Sequence, residues 1–219
     1  MEAKARVFCP TLEEVRAIDA RALSDVQPHT ADLIYIHGHV ICNQYVVHKM
    51  GAELAARYPD AWLGIVGIDV DDPELPGYTR ELENMIKLGV DKNRIVGLVA
   101  KTKIPPSTDW ESYAIVQNAK KLEYENVVIV SAAFHQVRAL LSDVSAVLKT
   151  ASKLRIFSAV ARTDSWTERR RNLQNTPPAS WLEELNSTEW EKLKRYYEKG
   201  DHCSFAEVLE YLNLRDRHS

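Results

Sequence analysis

Glycine is scarce in this chain, with 8 among 219 residues, and no two of them form a GxG pair. Closely spaced glycines bring backbone N–H groups against phosphate, so the dinucleotide fingerprint and the Walker A loop are both excluded. GxSxG and HExxH are missing too, which removes the serine-hydrolase elbow and the helical zinc-protease site. The 3 cysteines, Cys9, Cys42 and Cys203, form no CxxC pair and outline no disulfide framework. A reducing, cytoplasmic setting is therefore expected. Met1–Pro10 lacks the apolar core of a secretory signal, and no apolar run approaches the roughly 20 residues of a membrane helix. No membrane anchor is expected. Basic excess is absent as well: 28 Lys and Arg against 31 Asp and Glu leave a formal net charge of −3. That balance argues against a general nucleic-acid binder.

What the chain does have is an ordinary globular composition, 45% hydrophobic and 27% charged. The length suits a single α/β domain spanning residues 1–219. Thr11 with Glu14 reads as a capping box that opens a first helix within residues 1–30. Strand-sized apolar runs follow at Asp32–Ile36, Trp62–Val66, Arg94–Val99, Asn126–Val130 and Leu154–Val160. Helical spacing fills the gaps at Gln44–Arg57, Thr79–Leu88, Trp110–Leu122 and His135–Leu148. Alternation of this kind, with nearly continuous apolar strands, predicts a mostly parallel five-stranded sheet over residues 31–160, with helices on both faces. The fold class is a Rossmann-like, doubly wound α/β domain without the Rossmann glycines. Residues 161–219 read as a polar loop followed by two C-terminal helices packed on the core, one capped by Thr188 with Glu191 and one by Ser204 with Glu207. Trp181, Leu185, Trp190, Leu193 and Tyr197 give these helices an apolar side, either to close the core or to meet a protein partner.

Ligands of doubly wound sheets bind beyond the carboxyl ends of the strands. His37-Gly38-His39 follows the first strand, Asp69 the second, Lys101 and Lys103 the third, Ser131 and His135 the fourth, and Arg162 and Asp164 the fifth. Imidazoles and cations thus gather on one edge with a few carboxylates. At the fourth turn, His135 and Arg138 are three residues apart and share a helix face near unpartnered first-turn N–H groups. With Ser131 these form a receptor suited to an anion. His37 and His39 are candidate general acids or bases, Asp69 is the convenient carboxylate to orient one of them, and Gly38 lets the backbone approach a ligand. No metal-ligand spacing supports a metal site. Asp109 reads as the N-cap of the third of these four helices, and Arg169–Arg171 as a solvated face that could fold over the site.

The strand-four turn, Val128-Ile129-Val130-Ser131-Ala132-Ala133-Phe134-His135-Gln136-Val137-Arg138-Ala139, resembles the hallmark of the YdcF/SanA/ElyC-like family. There a strand ending in Val-Val-Thr-Ser is followed by an aromatic residue, His, two variable positions, Arg and Ala. Leu88-Gly89-Val90 through Ile95 is similar to the family's lead into a strand, and Asn43-Gln44-Tyr45 is similar to SanA-like members. Asp109-Trp110-Glu111-Ser112 stands where the family has a Thr-x-Glu-Asn type of segment, which makes Glu111 a ligand-binding candidate. The chain departs from the family in its first loop, where His37-Gly38-His39 replaces a glycine-rich segment. An upstream glutamate is also out of register, with Glu81 as its substitute. The resemblance implies a Rossmann-like fold, a YdcF-like role without an anchor, and S-adenosylmethionine as a ligand.

Two functions follow from these residues. One is an enzyme acting on an anionic or nucleotide-like small molecule by acid–base chemistry or assisted departure of an anionic leaving group. Its catalytic candidates are His37, His39, His135 and Asp69; its ligand-binding candidates are Gly38, Lys101, Ser131, Arg138, Arg162 and Glu111. The other is a non-catalytic small-ligand or regulatory protein.

Overall fold

The computed structural model describes residues 6–101, 107–163, 165–172 and 177–217. Lys103 and Asp164 lie outside them. Helix α1 (Leu12–Leu23) opens with the Thr11–Glu14 capping box, both of whose reciprocal bonds form. Five strands follow in alternation with helices: β1 (Leu33–Ile36), β2 (Trp62–Val66), β3 (Ile95–Leu98), β4 (Asn126–Ala132) and β5 (Arg155–Ala161). The intervening helices are α2 (Ile41–Arg57), α3 (Gly77–Lys87), α4 (Thr108–Leu122) and α5 (Ala133–Lys149). All paired strands are parallel, in the order β3-β2-β1-β4-β5. This is the Rossmann-like architecture that the alternation of apolar runs predicts.

Side chains of successive strand residues point to opposite faces, and the core divides accordingly. Leu33, Tyr35, Val127, Ile129 and Ile156 pack with residues of α1, α4, α5 and α8 (Phe205–Arg217). Ile34, Ile36, Val128, Val130 and Phe157 pack with residues of α2 and α3 on the other side. Both faces are covered, which is why the strands read as unbroken apolar runs.

Most element ends shift by one to three residues from the sequence reading, and three differences bear on the site or the C-terminal region. β4 continues past Val130, because Ser131 and Ala132 still pair with Val160 and Ala161 of β5. Ser131 is therefore a strand residue at the sheet edge. Ser107, not Asp109, caps α4, its side chain accepting from Trp110 N–H. The C-terminal region holds three helices rather than two: α6 (Trp181–Asn186), α7 (Thr188–Glu198) and α8. Ser180 with Glu183 forms the capping box of α6, and Thr188 is the first residue of α7 after Ser187, whose side chain makes no capping bond. Ser204 and Glu207 make the expected reciprocal bonds before α8.

The C-terminal helices are anchored to the sheet. Arg215 of α8 pairs with Asp25 at 2.7 Å with both side chains buried, and Asp25 also accepts from Ser158 N–H of β5. Trp181, Leu193, Val208 and Leu212 are buried, so most of the apolar side of these helices closes the domain. No helix among the described residues is long and apolar enough to cross a membrane.

Candidate functional site

The chain builds β1, β2 and β3 outward in one direction and then returns to place β4 beside β1 on the other. That reversal leaves a crevice at the carboxyl ends of β1 and β4, the place where ligands of such sheets bind. A cavity of about 340 Å³ occupies this edge, within the range of small-molecule sites. Val40, Gly77, Thr108 and His135, from the N-terminal ends of α2, α3, α4 and α5, border it. First-turn N–H groups lack intrahelical partners, so four helix dipoles contribute positive potential here.

One wall is built on Glu111 from the first turn of α4. Its Oε2 accepts from Tyr35 O–H at 3.1 Å and from Gly38 N–H at 2.8 Å. His37 Nδ1 lies 3.4 Å from the same oxygen, an ion-pair distance longer than a good hydrogen bond. On its other side, His37 Nε2 meets Asp143 Oδ2 of α5 at 2.8 Å. The alternation of β1 sends Tyr35 toward α4 and α5, and His37 follows two residues later on the same side. Burial opposes a charge on His37, but Asp143 and then Glu111 outweigh it and raise the imidazole to about 10. His37 is thus an imidazolium clamped between two carboxyl groups, and it stands behind the cavity rather than in its lining. Gly38 serves close approach: a Cβ there would sit 3.1 Å from Val66 Cγ2 and 3.6 Å from Glu111 Oε1.

The other two imidazoles are neutral. His39 Nε2 accepts from Ser131 O–H at 3.0 Å and from Ala132 N–H at 3.2 Å, which leaves the ring proton on Nδ1. Burial, with the charges of His37 and Arg138, lowers His39 to about 3. His135 in the first turn of α5 has its ring 5.0 Å from that of His39 and 6.0 Å from that of His37. Burial and then Arg138 hold it well below the ordinary histidine value. Its Nε2 lies 3.3 Å from Thr108 Oγ1. Both His39 and His135 border the cavity.

Arg138 also borders the cavity, in the second turn of α5, but its fork is not open as the sequence suggests. Nε and Nη2 grip Glu189 of α7 at 2.6 and 3.2 Å, and Nη1 donates to Thr108 Oγ1 at 2.5 Å. Lys192, one turn along α7, reaches Glu189 at 3.1 Å and borders the cavity too. The two cations and one carboxylate leave this wall with one net positive charge. The protein carboxylate supplies much of the compensation expected from a ligand.

Ser131 is fully buried against His39 and does not border the cavity, and three further expected site residues lie elsewhere. Asp69 accepts from Thr79 N–H at 2.9 Å and Thr79 O–H at 2.8 Å, because it sits in the loop leading into α3 and bonds locally. It orients no histidine; Asp143 and Glu111 hold His37 instead. Lys101 is exposed past β3 and uses its backbone N–H on Gln117 Oε1 at 3.1 Å. Arg162, at the end of edge strand β5, borders a separate cavity of about 530 Å³ with Tyr45 and Lys49 of α2. Conversely, the site contains groups absent from the catalytic and binding candidates: Asp143, Glu189, Lys192 and Tyr196, together with Glu81, which the sequence named only as a stand-in for the family's glutamate. Asp143 carries a signal in hindsight, being a lone acid in the apolar run of α5. Glu189 and Lys192 carry none, since only the docking of α7 brings them there.

Fold and site together define a Rossmann-like α/β protein with a cavity of about 340 Å³ at its topological switch point. Comparison with family models, curated proteins and solved structures finds no match to this chain.

Proposed function

We propose that the protein is an enzyme acting on an anionic or nucleotide-like small molecule bound in the β1–β4 cavity. The observation that carries this reading is Glu111, a carboxylate held by Tyr35, Gly38 N–H and the His37 imidazolium on the same cavity as two neutral imidazoles. A fixed carboxylate is suited to accept a proton, and neutral His39 and His135 to donate a hydrogen bond to developing negative charge. Lys192, Arg138 and the helix N-termini attract the anionic part of the ligand. Acid–base chemistry or assisted departure of an anionic leaving group follows from this set. His37 is a positioning residue in this scheme, since it touches Glu111 and Asp143 rather than the cavity. Glu111, His135 and Arg138, which lie in the segments similar to the YdcF/SanA/ElyC-like family, all border this cavity.

The test is turnover on a panel of nucleotides and phosphorylated metabolites across pH, with Glu111→Gln beside the parent. Turnover that falls about a hundredfold or more in the variant supports the enzyme. Affinity for a panel member without turnover replaces it by the ligand-binding reading, which the closed Arg138–Glu189 pair favours. S-adenosylmethionine is the probe for that reading, with a carboxylate to face Lys192 and a sulfonium to face Glu111. Calorimetry showing no heat and no thermal shift with it removes this ligand.

A further inference from the structure

Glu81 of α3 is buried at 2% exposure, borders the cavity, and has no partner for its Oε2 among the described residues. A carboxyl group in such a place is costly as an anion, and it is poorly used as mere packing, which Leu or Met would perform without a polar atom. The backbone N–H of Val66 faces it as a donor, while burial and the neighbouring Glu111 both oppose its charge. Two carboxyl groups on one small cavity do not both ionise readily. Glu111 has two donors and the imidazolium against the single Val66 N–H of Glu81, so the proton belongs on Glu81, whose pKa burial and then Glu111 hold well above the ordinary carboxyl range.

We propose that Glu81 is a proton-carrying binding group of this cavity, whose O–H donates to an anionic oxygen that Lys192 and Arg138 attract. The ligand oxygen is phosphoryl, sulfuryl or carboxylate in kind: an acceptor bearing negative charge that accepts from a neutral acid and rejects a carboxylate. This inference rests on reading the cavity as the ligand site, and it adds a protonation requirement to that site. Ligand binding then weakens as pH rises through the titration of Glu81.

Other groups face this volume, and the pH dependence must be separated from theirs. Tyr35 from β1 is raised well above the ordinary phenol, and His39 and His135 stay neutral from mildly acidic pH upward. Arg138 remains charged. Lys192 from α7 and His37 behind the cavity are the exceptions: burial and then Arg138 lower Lys192, His37 loses its proton at about 10, and the sulfate comparison is therefore kept below that value with Lys192 removed.

Sulfate is the probe, because its charge is constant from mildly acidic to alkaline pH. Its affinity is measured by calorimetry at fixed ionic strength in Lys192→Met and in Glu81→Gln/Lys192→Met. The first variant is expected to lose sulfate affinity by about tenfold or more between mildly acidic and alkaline pH. The second keeps a neutral donor of the same shape, so its affinity is expected to be flat. Equal slopes in the two variants, or no sulfate binding to the parent protein, would overturn the proposal. Should the glutamine variant not fold, infrared spectra of the parent decide. A carboxylic-acid carbonyl band that persists at neutral pH and shifts on adding sulfate supports the assignment, and an unshifted or absent band overturns it. Glu81-dependent sulfate binding without turnover on the metabolite panel would remove the enzymatic reading and leave this one standing. Turnover with sulfate affinity indifferent to Glu81 would do the reverse.

Discussion

The two walls of the cavity are built on opposite plans. On one side Asp143, His37 and Glu111 form a carboxyl–imidazolium–carboxyl row, made by α5, the residue just after β1, and α4. On the other, Arg138, Glu189 and Lys192 form a cation–carboxylate–cation row that α7 must complete. Counting formal charges, the first row carries one net negative charge and the second one net positive charge. The first is sealed, with its side chains at most 6% exposed, whereas Lys192 in the second keeps 20%. A cavity between such walls is dipolar. It suits a ligand with an anionic end toward α7 and a proton-bearing or cationic group toward Glu111. In the proposed enzyme, the sealed wall holds Glu111 in place and the wall completed by α7 meets the anionic end of the ligand.

Removing a partner from the sealed wall should have the largest effect on stability. Asp143→Ala takes away the closer partner of the His37 imidazolium, leaves it only the 3.4 Å contact to Glu111, and is expected to cost about 3 kcal/mol or more in urea unfolding, as for other broken buried pairs. A loss below ~1 kcal/mol would mean that the row is not ionic. Arg138→Ala should cost less, about 2–3 kcal/mol, because Lys192 remains to face Glu189. A double-mutant cycle with Glu189→Ala should return a coupling of about 1–3 kcal/mol, and additive effects would dissolve the second wall as a unit.

Acid should weaken the fold in a window set by the neutral histidines. His39 and His202 are lowered to about 3 and His48 to about 4, each first by burial. A base whose folded value lies below its unfolded one contributes stability above about 6.5, and that stability is lost as pH falls toward about 3. His37 has the opposite sign: its contribution is complete below about 6.5 and lost as pH rises through about 10. Thermal melts across pH should therefore decline on both flanks, and Asp143→Ala should flatten the alkaline one. The smallest effects belong to Lys101→Ala and Arg162→Ala. Both lie outside the cavity and should change stability by no more than about 0.5 kcal/mol, with anion affinity unchanged.

The contrast between the walls also marks how far the sequence could be read. Strand runs such as Val127–Val130 and helical spacing in Val137–Leu148 are local signals, so the sheet, its edge and the placement of His39, His135 and Arg138 on it were legible. Side-chain partnership was not. His37 and His39 are two residues apart, yet one is charged behind the wall and the other neutral on the cavity, because Asp143 and Ser131 lie far off in sequence. Asp69 read as a histidine partner because it follows β2, but Thr79 in the next helix turn captures both its oxygens. Arg138 read as an open receptor because Glu189, 51 residues later, belongs to a helix whose docking no local pattern specifies.

The central claim is that one charged imidazole fixes Glu111 while two neutral ones face the ligand. Nitrogen-15 NMR of the histidine rings tests it most directly. At neutral pH the account predicts His37 protonated on both nitrogens, retaining both until about pH 10, with His39 present as the single Nδ1–H tautomer. A neutral His37 at pH 7, or a His39 that titrates near the ordinary histidine value, would contradict it.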